Sequence, residues 1–229
     1  MSEKLRLEFN QWALDGRGAE LEQPYLAFVE DTIGEMKIRS HERVLEVGCG
    51  EGWAARLLAR LLPEGMVVGL DVSDEMIHNA RTKSAHCENL MFVRGEAEDV
   101  PWQSEFFSKV LCVESFYYFE DPVKALHEIY RVMAPGASVW ILNHLSRENE
   151  LSLRWLSELK VPVQLLGAGK YESLFHRCGF RHFSYRMIPD RTQHCGFFRE
   201  RWFPDAAELR RFCELGALLM TATKPIAAD

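Results

Sequence analysis

The sequence predicts an α/β fold of the doubly wound kind, with a mostly parallel sheet, helices on both faces and an N-terminal helical cap. Two observations predict it. From about residue 42 short apolar runs alternate with segments of helical period, the pattern of a parallel sheet covered on both sides. The first of those runs, VLEVGCGEG from Val44 to Gly52, passes through three glycines directly into a helical segment.

The candidate strands are Val44 to Val47, Met66 to Leu70, Leu90 to Arg94, Lys109 to Val113 and Ser138 to Leu142, each short and apolar as doubly buried strands are. A helix from Trp53 to Leu62 is closed by Pro63, Glu64 and Gly65, and a second runs from Asp74 to about Ser84 with Ser73 as its N-cap. Asp121 and Pro122 open a third, whose buried stripe is Val123, Leu126, Ile129, Tyr130 and Met133 and which Pro135 and Gly136 stop. The first forty residues read as helices, one of them from Pro24 to Met36. After Leu142 the pattern gives a helix from Lys170 to Cys178, a strand from Phe180 to Met187, a helix starting near Pro204 and a last strand from Ala217 to Thr223.

Composition bounds the function. The chain has 229 residues, 47% hydrophobic and 27% charged, which is a folded domain with a sizeable core and excludes fibrous or disordered chains. No run approaches the roughly 18 apolar residues of a membrane span, and MSEKLRLEFNQW carries acids and no apolar signal core, so no membrane association and a cytoplasmic location are expected. The six cysteines, Cys49, Cys87, Cys112, Cys178, Cys195 and Cys213, show no CxxC spacing and read as reduced, mostly buried thiols. His176 with Cys178 and His194 with Cys195 match no standard ligand spacing, so no metal is expected. A net charge of −7 disfavours nucleic acid as a partner, although eight arginines stand between Arg177 and Arg211 against four carboxylates.

The glycine segment carries the chemistry. A strand, a glycine turn and a helix N-terminus let a ligand approach the backbone and meet free N–H donors. A dinucleotide loop needs GxGxxG, and its third glycine would fall at Trp53; the spacing here is GxGxG, at Gly48, Gly50 and Gly52. Asp71 ends the second strand, placed to accept hydrogen bonds from two ribose hydroxyls, and Glu46 could face a cationic amine. These features suit an adenosine ligand without a pyrophosphate.

From Val44 to Leu142 the chain resembles the class I, Rossmann-like S-adenosylmethionine-dependent methyltransferases, in particular the small-molecule-methylating branch of type 11 and ubiquinone-biosynthesis-like enzymes. VLEVGCGEG is similar to that family's first motif and GLDVSDEMIHNAR to its second; VRGEAEDVPW resembles its adenine loop, with Glu96 where Asp is usual. The resemblance implies seven strands with an antiparallel last strand, and S-adenosylmethionine as cofactor with S-adenosylhomocysteine as product. It places Gly48, Gly50 and Gly52 along the methionine part and Glu46 near its amino group. Asp71 would hold the ribose, Val72 and Met76 would flank the adenine, Glu96, Ala97 and Glu98 would lie along its edge, and Glu114 would stand near the sulfonium.

A sulfonium is its own leaving group, so such a protein supplies proximity and in-line orientation. His144, Tyr117 and Tyr118 follow strands on the ligand side of the sheet and are the candidate catalytic or substrate-orienting residues, His144 as a base and the tyrosines as pocket wall. The expected partner is a small-molecule methyl acceptor, acidic or aromatic, bound by Trp12 to Tyr25, Glu148 to Ala168, and the stretch with Phe197, Phe198, Arg199, Arg201 and Trp202. The expected organisation is one domain over 1–229: a helical cap over 1–40, a cofactor core over 41–145, and an acceptor side over 146–229 with an insertion at about 189–215. RNA or protein methylation, an inactive S-adenosylmethionine-binding module, and a nicotinamide dehydrogenase are the other readings; the oligomeric state stays open.

Overall fold

A computed structural model describes residues 3–20, 22–190, 203 and 205–226. Three helices come first, α1 (Glu3–Leu14), α2 (Arg17–Glu20) and α3 (Glu22–Glu35). They are followed by β1 (Arg43–Val47), α4 (Trp53–Leu61), β2 (Met66–Asp71), α5 (Asp74–Lys83), β3 (Leu90–Arg94), β4 (Phe107–Val113), α6 (Pro122–Val132) and β5 (Met133–Asn143). The remainder is α7 (Ala168–Arg177), β6 (Arg181–Ile188), α8 (Ala206–Leu215) and β7 (Ala217–Thr223), with 3-10 turns at Phe116–Tyr118 and Glu150–Ser157.

The described strands form one seven-stranded sheet in the order β3-β2-β1-β4-β5-β7-β6. The pairings from β3 across to β5 are parallel, and β7 runs antiparallel to both β5 and β6. The expected strands are all present. Order reverses between β1 and β4, and open α/β sheets bind ligands in the crevice at such a switch, beyond the carboxyl ends of the strands.

Side-chain caps start α5 and α6. Ser73 caps α5 by accepting the Met76 N–H at 3.1 Å, and Asp74 and Glu75 in its first turn with Arg81 and Lys83 in its last complement the helix dipole. Asp121 caps α6 by accepting the Val123 and Lys124 N–H groups, both at 3.0 Å, with Pro122 at the first helical position. One face of the sheet is covered by α6 and α7 through Leu126, Ile129, Val132, Tyr171 and Phe175; the other by α3, α4 and α5 through Val29, Ile33, Leu58, Ile77 and Ala80. Fully burying side chains of this size contributes about 1.5–3 kcal/mol each, which is why both faces of the sheet are apolar.

Two expectations are corrected. Met133, placed by periodicity on the buried stripe of α6, is extended and pairs with Phe107, because the helix ends at Val132 and Lys224 Nζ takes the Met133 and Tyr130 carbonyls. Cys213, read as a thiol, is disulfide-bonded; pairing depends on approach in space, which sequence spacing does not reveal. Cys49, Cys112 and Cys178 are free and buried, and Cys87 is free and half-buried. No helix among the described residues is long and apolar enough to cross a membrane.

Candidate active site

A cavity of about 250 Å³ opens at the switch between β1 and β4. Its lower wall is the glycine turn. Gly48 and Gly50 have φ of 74° and 51°, left-handed values that favour glycine. A Cβ on Gly48 would lie 2.3 Å from that of Ser115, whereas one on Gly50 would meet nothing within 4 Å, so Gly50 faces the open cleft. Gly52 has φ 73° and stands outside the cavity lining: a Cβ there would strike the Phe92 ring at 2.3 Å. Its role is to let α4 start against β3.

Asp71 locks the turn. One carboxylate oxygen accepts the Gly50 N–H at 2.8 Å and the other the Ser73 N–H at 2.9 Å. Burial pushes this carboxyl above its ordinary range while the same N–H groups pull it back. Glu51 ties the turn to α5 by accepting from Asn79 at 2.9 Å and pairing with Lys83. Val72, Met76, Ala97 and Glu98 line the cavity beside Asp71, but Glu96 does not; it forms a bridge with Asp99 in the loop.

Glu46 is the unusual carboxylate. It is 2% exposed and lines the cavity, and its Oε2 has no hydrogen-bond partner. Burial raises its pKa to about 8, with the Ala55 N–H opposing, Asp71 adding to the rise and Arg56 opposing it. Its unfolded-state value is 4.5, so the folded state keeps a proton that the unfolded state loses. Stability is therefore full below pH 4.5 and falls as pH rises towards 8. We expect Glu46→Gln to flatten this decline between pH 5.5 and 8; thermal melts that stay parallel to wild type across the range would rule out the shift.

The upper half of the cavity is aromatic. Leu5, Phe9 and Trp12 come from α1, Tyr25 from α3, Tyr117 and Tyr118 from the turn after β4, and Trp155 and Leu159 from the segment after β5. Arg17 stacks over Trp12 at 4.0 Å and is the single basic residue among the described lining. Burial, then the nearby Glu114 carboxylate, pushes the Tyr117 and Tyr118 phenols up, so both stay protonated and act as donors or walls. His144 is not in the lining; Glu114 is, and His144 packs behind it against Tyr25 and Phe28. Of the expected substrate-binding stretches, Trp12, Arg17, Gly18, Tyr25, Trp155, Glu158 and Leu159 reach the cavity. Phe197, Phe198, Arg199, Arg201, Trp202, His194 and Cys195 lie outside the described residues. Leu5, Phe9 and Trp53 were not anticipated as lining, since an apolar residue on an amphipathic helix gives no local sign of facing a ligand. Among the described residues no three His, Cys, Asp or Glu side chains are grouped to hold a metal ion.

Residues 45–141 match the family model of the methyltransferase domain. A phthiotriol/phenolphthiotriol dimycocerosates methyltransferase of Mycobacterium ulcerans is 35% identical over 52% of this chain and 43% of its own length, and a demethylmenaquinone methyltransferase of Staphylococcus aureus is 33% identical over 46% and 44%. The alignments thus span less than half of these relatives. Among solved structures, a chain from a complex containing the Haloferax volcanii Trm112 methyltransferase activator superposes with a TM-score of 0.86 and 27% identity over 95% of this chain and 98% of that one. An S-adenosylmethionine-dependent methyltransferase from Aquifex aeolicus shares the fold at TM-score 0.67 and 18% identity, over 91% of this chain and 97% of that one. The matched domain, the sheet order with its antiparallel β7, and the glycine turn locked by Asp71 agree, and the chain is similar in fold and in this central segment to the class I, Rossmann-like S-adenosylmethionine-dependent methyltransferases.

Proposed function

We propose that this protein, as a single methyltransferase domain, transfers a methyl group from S-adenosylmethionine to a small, largely apolar acceptor by direct in-line displacement. The observation that carries the reading is the division of one cavity into a carboxylate-and-glycine half and an aromatic half. The residues present fit the cofactor: the orphaned Glu46 oxygen suits an ammonium group, Gly50 leaves open space where a Cβ would stand, and Asp71 offers carboxylate lone pairs to ribose hydroxyls. When bound, the sulfonium supplies the activated methyl group, and the chain's own residues supply orientation and exclusion of water. Positioning of this kind is worth up to about 7–11 kcal/mol of a barrier, so no covalent nucleophile is required.

An apolar acceptor suits walls made of Phe9, Trp12, Tyr25 and Trp155, and relatives named for a demethylmenaquinone and for a fatty acid support it. RNA or an acidic acceptor would want basic lining, and the described lining has carboxylates at Glu46, Glu51, Asp71, Glu98, Glu114 and Glu158 against Arg17. The near full-length likeness to a chain solved with an activator protein favours one further reading, that this protein also works with a small activator subunit.

The deciding experiment is calorimetric titration with S-adenosylmethionine, S-adenosylhomocysteine and NAD, on the chain alone and with the Haloferax activator added. The adenosyl ligands should bind at micromolar level and NAD should not. Because Glu46 holds a proton at neutral pH and would give it up to the buffer when a positively charged ammonium group binds beside it, binding at pH 7 should release protons, seen as a dependence of the heat on buffer ionisation. Binding of NAD alone, or of neither ligand in either setting, would overturn the assignment.

A further inference from the structure

Glu114 sits in a conformation that a glutamate adopts only under constraint. Its φ is 51°, in the left-handed region that non-glycine residues rarely occupy, at the carboxyl end of the central strand β4 and in the wall of the cavity. Such strain persists where surrounding contacts over-determine it, and it clusters at ligand-binding sites. Here the contacts are explicit. Oε1 accepts the His144 backbone N–H at 2.5 Å and faces His144 Nδ1 at 3.0 Å, and Oε2 accepts the Tyr117 hydroxyl at 3.0 Å.

His144 has no access to the cavity. It is 1% exposed, boxed by Tyr25 and Phe28, and its Nε2 has no hydrogen-bond partner. A ring with its proton on Nδ1 satisfies this arrangement, since the donor meets the carboxylate and only a lone pair is left in the apolar box. The groups around Glu114 are thus His144 from the end of β5, Tyr117 and Tyr118 from the turn after β4, and Tyr25 from α3, and not one of them is a basic side chain with a fixed charge. A carboxylate has about four acceptor sites, and three donors face this one, so lone-pair capacity remains for a ligand in the cavity. The wall around it is flat and aromatic.

Resting on the methyltransferase reading above, we propose that Glu114 is the specificity-determining residue of the acceptor half: its carboxylate binds the O–H or N–H of a planar, apolar substrate. His144 is the residue that positions it. This moves Glu114 from the sulfonium side, where resemblance put it, to the substrate side. The hydrogen bond would point the lone pair of the methyl-accepting atom into the cleft, and a substrate already methylated at that atom would have no proton to offer.

The test uses the whole chain saturated with S-adenosylhomocysteine and a pair of planar probes that differ only by a methyl group on oxygen, 2-naphthol and 2-methoxynaphthalene, titrated by calorimetry. Naphthol should bind at least about tenfold more tightly, the worth of one hydrogen bond to a charged group. In Glu114→Gln the ratio should fall below about threefold, in Tyr117→Phe it should persist, and in His144→Leu it should drop while His144→Asn, which keeps a donor near the Nδ1 position, restores it. S-adenosylhomocysteine affinity should stay within about threefold of wild type throughout. Loss of that affinity in Glu114→Gln alone would return the residue to the cofactor and overturn the proposal. Equal binding of the two probes, a ratio lost in Tyr117→Phe but kept in Glu114→Gln, or no binding of either probe would overturn it as well. Failure of S-adenosylhomocysteine to bind the wild-type chain would instead remove the methyltransferase reading.

Discussion

Asp71→Ala should lower the affinity for S-adenosylhomocysteine at least about 100-fold, because the carboxylate does two tasks at once. It holds the glycine turn through Gly50 and the start of α5 through Ser73, and on the proposed reading its remaining lone pairs go to the ligand's hydroxyls. Hydrogen bonds to a charged group are worth about 1.5–3 kcal/mol each, so the loss of two reaches that factor before the turn itself relaxes. Asp71→Asn, which keeps one acceptor oxygen, should fall between the two. An alanine variant that binds within about tenfold of wild type would show that the ligand lies elsewhere.

The largest effect on stability should come from Gly216→Ala, far from that turn. Gly216 has φ 69° and ψ −155°, a region nearly closed to other residues, and a Cβ there would stand 1.8 Å from the Ile188 carbonyl oxygen. Neither side can yield easily. Ile188 pairs with Ala217 in the β6–β7 ladder, and the fully buried Asn149 donates to the Gly216 carbonyl at 2.9 Å and to Phe212 at 3.2 Å. Strain and overpacking together should cost about 3–5 kcal/mol, read as a fall of about 10 °C or more in Tm for a chain of this size. A melt within about 2 °C of wild type would contradict the geometry.

The wall of glycines and carboxylates was legible in the sequence because its pattern is local. Strand, glycines, helix and a carboxylate at the next strand end occur in fixed order, and the structure brings Gly48, Gly50, Asp71 and Glu46 to one wall. Spacing alone does not separate their roles: Gly50 faces open space, whereas Gly52, two positions on, exists for Phe92. The aromatic half of the cavity was legible only as stretches of chain. Trp12, Tyr25 and Trp155 meet because α1, α3 and the segment after β5 fold over the same crevice, and a sequence carries no sign of which apolar side chains converge from such distances. That Glu114 and not His144 faces the cavity has the same cause. A histidine after a strand looks like a base until the structure shows a carboxylate standing in front of it.

The way α1 is fastened bears on how long a bound molecule stays. Asn10 Oδ1 accepts the Ser73 hydroxyl at 2.7 Å and the Glu75 N–H at 3.2 Å, and Arg6 pairs with Asp74, so this helix of 12 residues is latched to the cap of α5. The same helix puts Leu5, Phe9 and Trp12 over the cavity. Opening the latch would uncover that side of the cavity, so we expect the residence time of a bound molecule to follow the local opening of α1. Backbone amides of α1 should then exchange with deuterium at the pace of product departure, and cutting the latch by Asn10→Ala with Arg6→Ala, which leaves Leu5, Phe9 and Trp12 in place, should release product sooner.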